Sequence, residues 1–260
     1  MFYFYILPLK GEFWAVKIWY LYHSSFLIEL ENRVLIFDYF KDKPRRHGLT
    51  DGVVNPRELE GYQVDVFVSH RHGDHFNRVI FGWHYDIRRI RYFLSPDILA
   101  VPEALKSFTV FPDKTTELDD IQVMGLESND EGVAFLIRIP EATIFFAGDL
   151  NWWDWEGESM EYRQKMQESY CKEIDKLSGE KIDIAFIPTD PRLGAQCTKG
   201  IDYFMRTVGA DVCIPIHMDG DYTVCETIMK DPLTAPYRDH LVTYSKRGET
   251  LQLPHYLEKR

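Results

Sequence analysis

Short apolar runs rich in β-branched and aromatic residues recur from residue 15 onward: AVKIWYLY at 15–22, SSFLIEL at 24–30 and RVLIFDYF at 33–40, set apart by polar breaks such as Glu31-Asn32-Arg33. Runs of this kind predict strands, and three in close succession predict an antiparallel meander. Residues 41–56 carry Pro, Gly, Asn and Asp and predict a loop. Val64-Asp65-Val66-Phe67-Val68 then reads as a short buried strand that stops abruptly in polar residues. Further strands are predicted in RYFLS (91–95), SFTVF (107–111), IQVMGL (121–126), GVAFLIRI (132–139) and ATIFFA (142–147), with Pro140-Glu141 as a hairpin tip. The period then changes. Over 156–178 the apolar positions Met160, Tyr162, Met166, Tyr170, Ile174 and Leu177 fall three and four apart among charges, the pattern of a surface helix packed on one face. Beyond it, strands at 182–187, 211–216 and 240–244 alternate with helices at 199–208 and 222–229. With no internal repeat and no Gly/Ser or Pro linker, this order predicts a single α/β domain.

Composition narrows the class. Forty-one acidic against thirty basic residues give a net charge of −11, which opposes docking on a phosphate backbone and excludes nucleic acid as an expected partner. No run reaches the roughly 18 apolar residues of a membrane helix, so no membrane partner is expected. The four cysteines form no CxxC pair, so neither a disulfide framework nor a cysteine zinc finger is indicated, and a cytoplasmic location is expected. The opening segment MFYFYILPLKGEFW has no basic stretch before its apolar run, which stops at Pro8, and no small-residue cleavage site follows. Residues 1–14 are read as an N-terminal extension or an extra strand, and residues 15–260 as the domain.

The strongest chemical signal is Ser69-His70-Arg71-His72-Gly73-Asp74-His75, an HxHxDH motif directly after a predicted strand. Three imidazoles and a carboxylate on one short loop are costly to bury without a cation to pair them. Imidazole and carboxylate donors together suit zinc and neighbouring transition metals. Asp149 at the end of FFAGD and His217 at the end of Cys213-Ile214-Pro215-Ile216 fall at the same kind of strand end as His70.

Taken together these segments resemble the metallo-β-lactamase-fold hydrolases over nearly the whole chain from about Ala15: YHSSFLIE, Asp38 after the next strand, HRHGDH, FAGD, and a histidine closing a late strand. The likeness is closest to the sugar-phosphate lactonase-like branch, in which a histidine precedes an SFLIE-like strand. The resemblance implies a four-layer αββα sandwich with metals at the strand ends where its two sheets meet. It further implies that His70 and His72 hold a first metal, that Asp74, His75 and His217 hold a second, and that Asp149 bridges the two. The family's remaining first-site histidine, expected shortly before the strand at Gly132, has no counterpart. Glu127-Ser128-Asn129-Asp130-Glu131 stands there instead, and no histidine occurs between His84 and His217. Asp130, or Ser128, as an oxygen ligand would favour manganese or iron over zinc. The alternatives are water in that position, or a first ion that binds weakly or not at all.

The resemblance also gives Asp74 a second task, orienting the attacking water or accepting its proton. His23 is expected at the site rim in substrate contact or proton transfer; otherwise it is a partly buried strand histidine. Asp38 is read as a supporting carboxylate rather than a ligand. Asp219 and Asp221 either orient His217 or form a turn into a helix, while Asp190 and Arg192 are expected in a solvated loop, with contact to an anionic substrate as the alternative. Trp152, Trp153 and Trp155 are read as packing residues or as a pocket wall. The expected activity is hydrolysis of a small ester, lactone or phosphate-containing molecule with one or two divalent ions, Zn2+ or Mn2+/Fe2+. The alternative is a non-catalytic metal-binding or ligand-sensing protein of the same fold with a degenerate first site.

Overall fold

In the computed structural model, which describes residues 16–44 and 46–253, the predicted meander is present as β1 (Lys17–Tyr22), β2 (Ser25–Glu29) and β3 (Arg33–Phe37), paired antiparallel. The extension assigned to residues 1–14 lies outside the described residues. Strands β4 (Gln63–Val68), β5 (Ile90–Leu94) and β6 (Ser107–Thr109) add to β3 in parallel and complete a six-stranded sheet. A second six-stranded sheet joins β7 (Thr115–Leu118), β8 (Ile121–Glu127), β9 (Val133–Arg138) and β10 (Thr143–Phe146), all antiparallel, to β11 (Ile184–Pro188) and β12 (Val212–Ile216), both parallel to β10. Helices α1 (Met160–Asp175), α2 (Lys199–Thr207) and α3 (Thr223–Lys230) follow in the second half. This is the metallo-β-lactamase fold in one domain. Because β3 to β6 run parallel, as do β10 to β12, the residues after their C-terminal ends gather at one rim of the sandwich, where α/β sheets place their chemistry.

Strand alternation sorts the core. In β3 and β4, Val34, Ile36, Val64 and Val66 point to the outer layer of the first sheet, whereas Leu35, Phe37 and Phe67 point between the sheets. Between the sheets, Phe37, Phe67, Phe93 and Phe108 stack across β3 to β6 at centroid separations of 5.0, 5.0 and 5.3 Å, and Phe146 of the second sheet stacks on Phe37 at 4.7 Å. Each such pair contributes about 0.5–1.5 kcal/mol beyond its buried area. The first three rings end or nearly end their strands, so the ladder forms a rigid floor under the rim. At the opposite end of β3 to β5 lies a buried ion cluster. Asp65 accepts from Arg33 (2.7 Å) and Arg91 (2.6 and 2.9 Å), and both arginines reach Asp120 on the β7–β8 turn of the other sheet (2.7 Å each).

Three differences from the sequence reading have physical causes. The strand expected at 240–244 is a single bridge, Leu241 to Cys213, because residues 232–240 form a proline-started 3-10 helix and the chain then crosses to the other sheet. There Leu251 and Tyr20 donate backbone bonds to Ile18 and Glu249, so residues 241–251 strap the outer edges of β12 and β1. The polar edge strand β7, TTEL, has no apolar alternation to announce it. The outer layer on the first sheet consists of 3-10 helices, including Gly48–Asp51 inside the expected loop and Arg78–Tyr85, while the α-helices cover the second sheet.

Candidate metal centre

Ser69 is the pivot of the rim. Its backbone N–H and hydroxyl donate to Asp38 at 2.7 and 2.6 Å, and its carbonyl accepts from Val133. A Cβ on Gly132 would meet the Ser69 carbonyl oxygen at 1.9 Å, and one on Gly148 would meet the Ser69 Cβ at 2.7 Å; both glycines have positive φ. Only glycine permits that approach, and through it the loops after β4, β8 and β10 converge.

The side chains at this junction form two adjacent groups whose donor atoms lie within 4.8 Å of one another, His70, His72 and Asp149 in one and His23, Asp74, His75 and His217 in the other, with a third, fully buried group of Asp38, His70 and His75 behind them. His70, His75, Asp149, His217 and His23 are buried, whereas Asp74 is 55% exposed at the mouth. Asp149 is central, with Oδ2 3.4 Å from His70 Nε2 and Oδ1 3.2 and 3.5 Å from Nε2 of His75 and His217. Trp153 holds the Asp149 turn by donating from Nε1 to the Asp149 carbonyl at 2.9 Å.

The far side of each ring sets its tautomer. His75 Nδ1 meets the Asp38 carboxylate at 2.7 Å and His217 Nδ1 meets Asp190 at 3.0 Å, and a carboxylate only accepts. Ser69 spends its proton on Asp38, so its oxygen accepts from His70 Nδ1 at 3.0 Å. All three rings therefore carry hydrogen on Nδ1 and turn Nε2 toward Asp149, where a proton or a metal cation can balance the carboxylate. His23 is the reverse: its Nδ1 accepts from the Asp219 backbone N–H at 3.1 Å, so the neutral ring carries hydrogen on Nε2, 3.7 Å from Asp74 Oδ2. Burial, with the nearby His217 and His75, pushes the His23 ring down to about 2 and keeps it neutral. Burial alone would also lower His217, but Asp149 and Asp190 raise it to about 10. Asp149 stays well below the usual carboxylate range despite its burial because three imidazoles surround it. Among the described residues six non-glycine residues have positive φ, and four of them, His23, Asp38, His217 and Asp219, ring this cluster. Such backbone costs about 1–3 kcal/mol per residue and concentrates where function requires it.

Six of the seven predicted metal residues thus meet. Asp130 stands in the wall of the same cleft, with His72 and Asp149, but belongs to neither group. Its loop is fixed by Asn129, which donates to Asn151 O, Met166 O and Ser169 Oγ. The Ser128 hydroxyl accepts from Asp130 N–H inside this turn. Asp38, read as a supporting carboxylate, accepts from Ser69 and meets His75 Nδ1, and it also lies in a donor group with His70 and His75. Asp190 is not solvated: it is buried against His217, and Asp219 and Asp221 form the turn, Asp221 accepting from Thr223. Sequence reading missed Ser69, Asn129 and the Asp190 partnership; only Asp190's place after a strand hinted at the last. Trp153 and Trp155 serve both expected roles, stacked at 5.8 Å and lining the cleft. A larger cavity, about 670 Å³, lies beside the outer layer of the first sheet against Asp42, Glu58 and Trp83, and none of the clustered donors lines it.

A family model described as the beta-lactamase superfamily domain matches residues 17–155, more than half of the chain. The chain belongs to this superfamily. Among solved structures it is similar to Igni18, a metallo hydrolase from the archaeon Ignicoccus hospitalis, with 15% identity, a TM-score of 0.58, and 90% of this chain and 97% of that one covered. It is also similar to a candidate metal-dependent hydrolase from Parabacteroides distasonis, with 14% identity, a TM-score of 0.56, and coverage of 86% and 95%. No curated protein matches the sequence significantly. The superfamily match takes in His23 through Asp149; His217 lies beyond it and joins the site by geometry.

The donor set fits a divalent ion. Nε2 of His70 and His75 and Oδ1 of Asp149 are buried with no hydrogen-bond partner. Lone pairs facing a carboxylate need a cation between them, and mixed N and O donors suit a first-row divalent metal. Among the described residues no helix is long and apolar enough to cross a membrane.

Proposed function

We propose that the chain is a metal-dependent hydrolase for a small ester, lactone or phosphate-containing molecule, allied to the sugar-phosphate lactonase-like branch. The observation that carries this is the convergence of Nε2 of His70, His75 and His217 on Asp149, with those of His70 and His75 buried and without a hydrogen-bond partner. His70 and His72 would hold one ion, Asp74, His75 and His217 a second, and Asp149 both. Divalent ions there would acidify water and offset charge developing on the substrate oxygen. Asp74, exposed at the mouth, orients the attacking water and takes its proton. His23 supplies a fixed Nε2–H beside it, a neutral donor aimed at the substrate oxygen.

His23→Asn keeps a residue tolerant of positive φ but shortens the donor. The variant should retain its metals and lose on the order of 10²-fold in kcat, the usual cost of one such donor. Loss of an ion would make His23 a ligand instead.

Asp130 is assigned as the oxygen ligand completing the shell of the ion on His70 and His72. The deciding experiment is metal content of protein purified without added metal or chelator, with a hydrolytic substrate panel. Two ions per chain and hydrolysis that chelation abolishes support the proposal. One tightly held ion without hydrolysis supports the second reading, a metal-dependent sensor, which the missing histidine and the position of Asp130 outside both donor groups favour. In metal titrations Asp130→Ala should weaken the first ion and Asp130→His should restore it with a shift towards zinc. Three identical titrations would remove Asp130 from the shell.

A further inference from the structure

The cleft over the metal centre has two lobes, about 300 and 380 Å³, that share Asp74, Arg192 and His217. Its charged lining is lopsided. Asp74, Asp130, Asp149, Asp190, Asp219 and Asp221 face it, and Arg192 is the one lysine or arginine among its lining residues. That arginine is held at its base. Nε donates to both oxygens of buried Asp190 at 3.0 and 2.9 Å, Nη2 to Oδ2 at 2.5 Å, and the Arg192 backbone N–H to Oδ1 at 2.8 Å. Nη1 donates to no described residue, and the side chain is 66% exposed. The guanidinium lies 5.6 Å over the Trp155 ring, which stacks on Trp153 within 2° of parallel, and Trp153 meets His217 edge-on at 5.5 Å.

We propose that the free edge of Arg192 and the Trp155 face form a recognition site for one acidic group, carboxylate or phosphate type, attached to a planar or apolar portion of the substrate. This rests on the hydrolase reading and names its substrate class. Buried Asp190 anchors one edge of this guanidinium and leaves the other donor edge open to the cleft, the preorganised form that suits acid groups. Charge favours the tryptophan lobe. Arg192 lines it and is balanced by Asp190 from the other lobe, and two dications would outweigh Asp74, Asp130 and Asp149, leaving a modest positive surplus. The other lobe presents Asp219 and Asp221, which repel an anion. A single guanidinium edge holds one acid group, so extended polyanions find no second anchor.

Tryptophan fluorescence of the metal-loaded protein, titrated with benzoate, phenylphosphonate, acetate and benzyl alcohol, tests this without turnover. At least one aromatic acid should bind about tenfold or more tighter than benzyl alcohol, the worth of a charge-assisted hydrogen bond, and the stronger of benzoate and phenylphosphonate identifies the acid type. Arg192→Ala should abolish that preference with metal content unchanged, and Trp155→Leu should weaken the aromatic acids but not acetate. Failure of both aromatic acids to bind the wild type more tightly than benzyl alcohol, or equal acid affinity in Arg192→Ala, overturns the proposal; the latter would mean that the ions alone take the acid and that Arg192 only balances Asp190. Binding as expected with an inert hydrolytic panel would instead remove the hydrolase reading and leave this site standing.

Discussion

Substituting Asp149 with alanine is expected to strip the protein of its divalent ions and of hydrolysis together. Its carboxylate lies within 3.5 Å of Nε2 on His70, His75 and His217, so it reaches both halves of the centre. Two dications held close together repel, and a shared carboxylate offsets that repulsion while closing both shells. Its loss leaves His70 and His72 without an oxygen donor from β10 and leaves the second group open on one side. Asp149→Asn preserves shape and removes charge, so it separates the two effects: it should retain the fold but hold fewer ions. Metal analysis after dialysis, alongside the hydrolytic panel, reads both outcomes. Full metal content in Asp149→Ala would take Asp149 out of the centre.

The largest loss of stability is expected far from the metals, at Asp65. Removing this carboxylate leaves the buried guanidinium groups of Arg33 and Arg91 facing one another, with only the partly exposed Asp120 to compensate. Breaking a buried ion cluster at one partner costs about 3–5 kcal/mol, whereas replacing the whole cluster by apolar residues of similar volume is often neutral. Asp65→Ala should therefore lower the denaturant midpoint sharply. The triple change Arg33→Met, Asp65→Leu and Arg91→Met should recover most of it. Metal content of the folded fraction should not change, since the cluster lies at the other end of β3 to β5. A cost below about 1 kcal/mol for Asp65→Ala would mean that the arginines find water or other partners. Asp120 adds an acid signature. Hydrogen bonds from Arg91 and Arg33 hold its carboxyl down to about 2, below its ordinary 3.8, so its contribution is present above about 4 and lost as pH falls towards 2.

Legibility of this molecule in its sequence followed sequence distance. Local patterns were readable: among the described residues eleven of the twelve strands, the three α-helices and the β9–β10 turn followed from periodicity and turn residues, and β7 was missed because TTEL carries no apolar alternation. LVTY at 241–244 has a strand's composition, but its position at the crossing between sheets allows one bridge. The HxHxDH loop announced itself because its donors are neighbours. The groups that set their chemistry do not: Asp38 reaches His75 across 37 residues, Asp190 reaches His217 across 27, and the Asp219 N–H that fixes the His23 tautomer is 196 residues away. One aspartate after one strand cannot be told from another until the parallel strands bring their ends together.

The strap at 241–251 ties the outer edges of β12 and β1, the strands whose ends carry His217 and His23. On a ribosome, the HRHGDH loop and the FAGD turn emerge long before either His217 or this strap. A nascent chain at that stage holds most of its donors but still has two open strand edges, each a template for pairing with another chain. Because the donors stretch from residue 23 to residue 217, ion capture by the full set comes late and marks assembly nearly complete. Ions held by that set would fasten strand ends that synthesis separates widely in time.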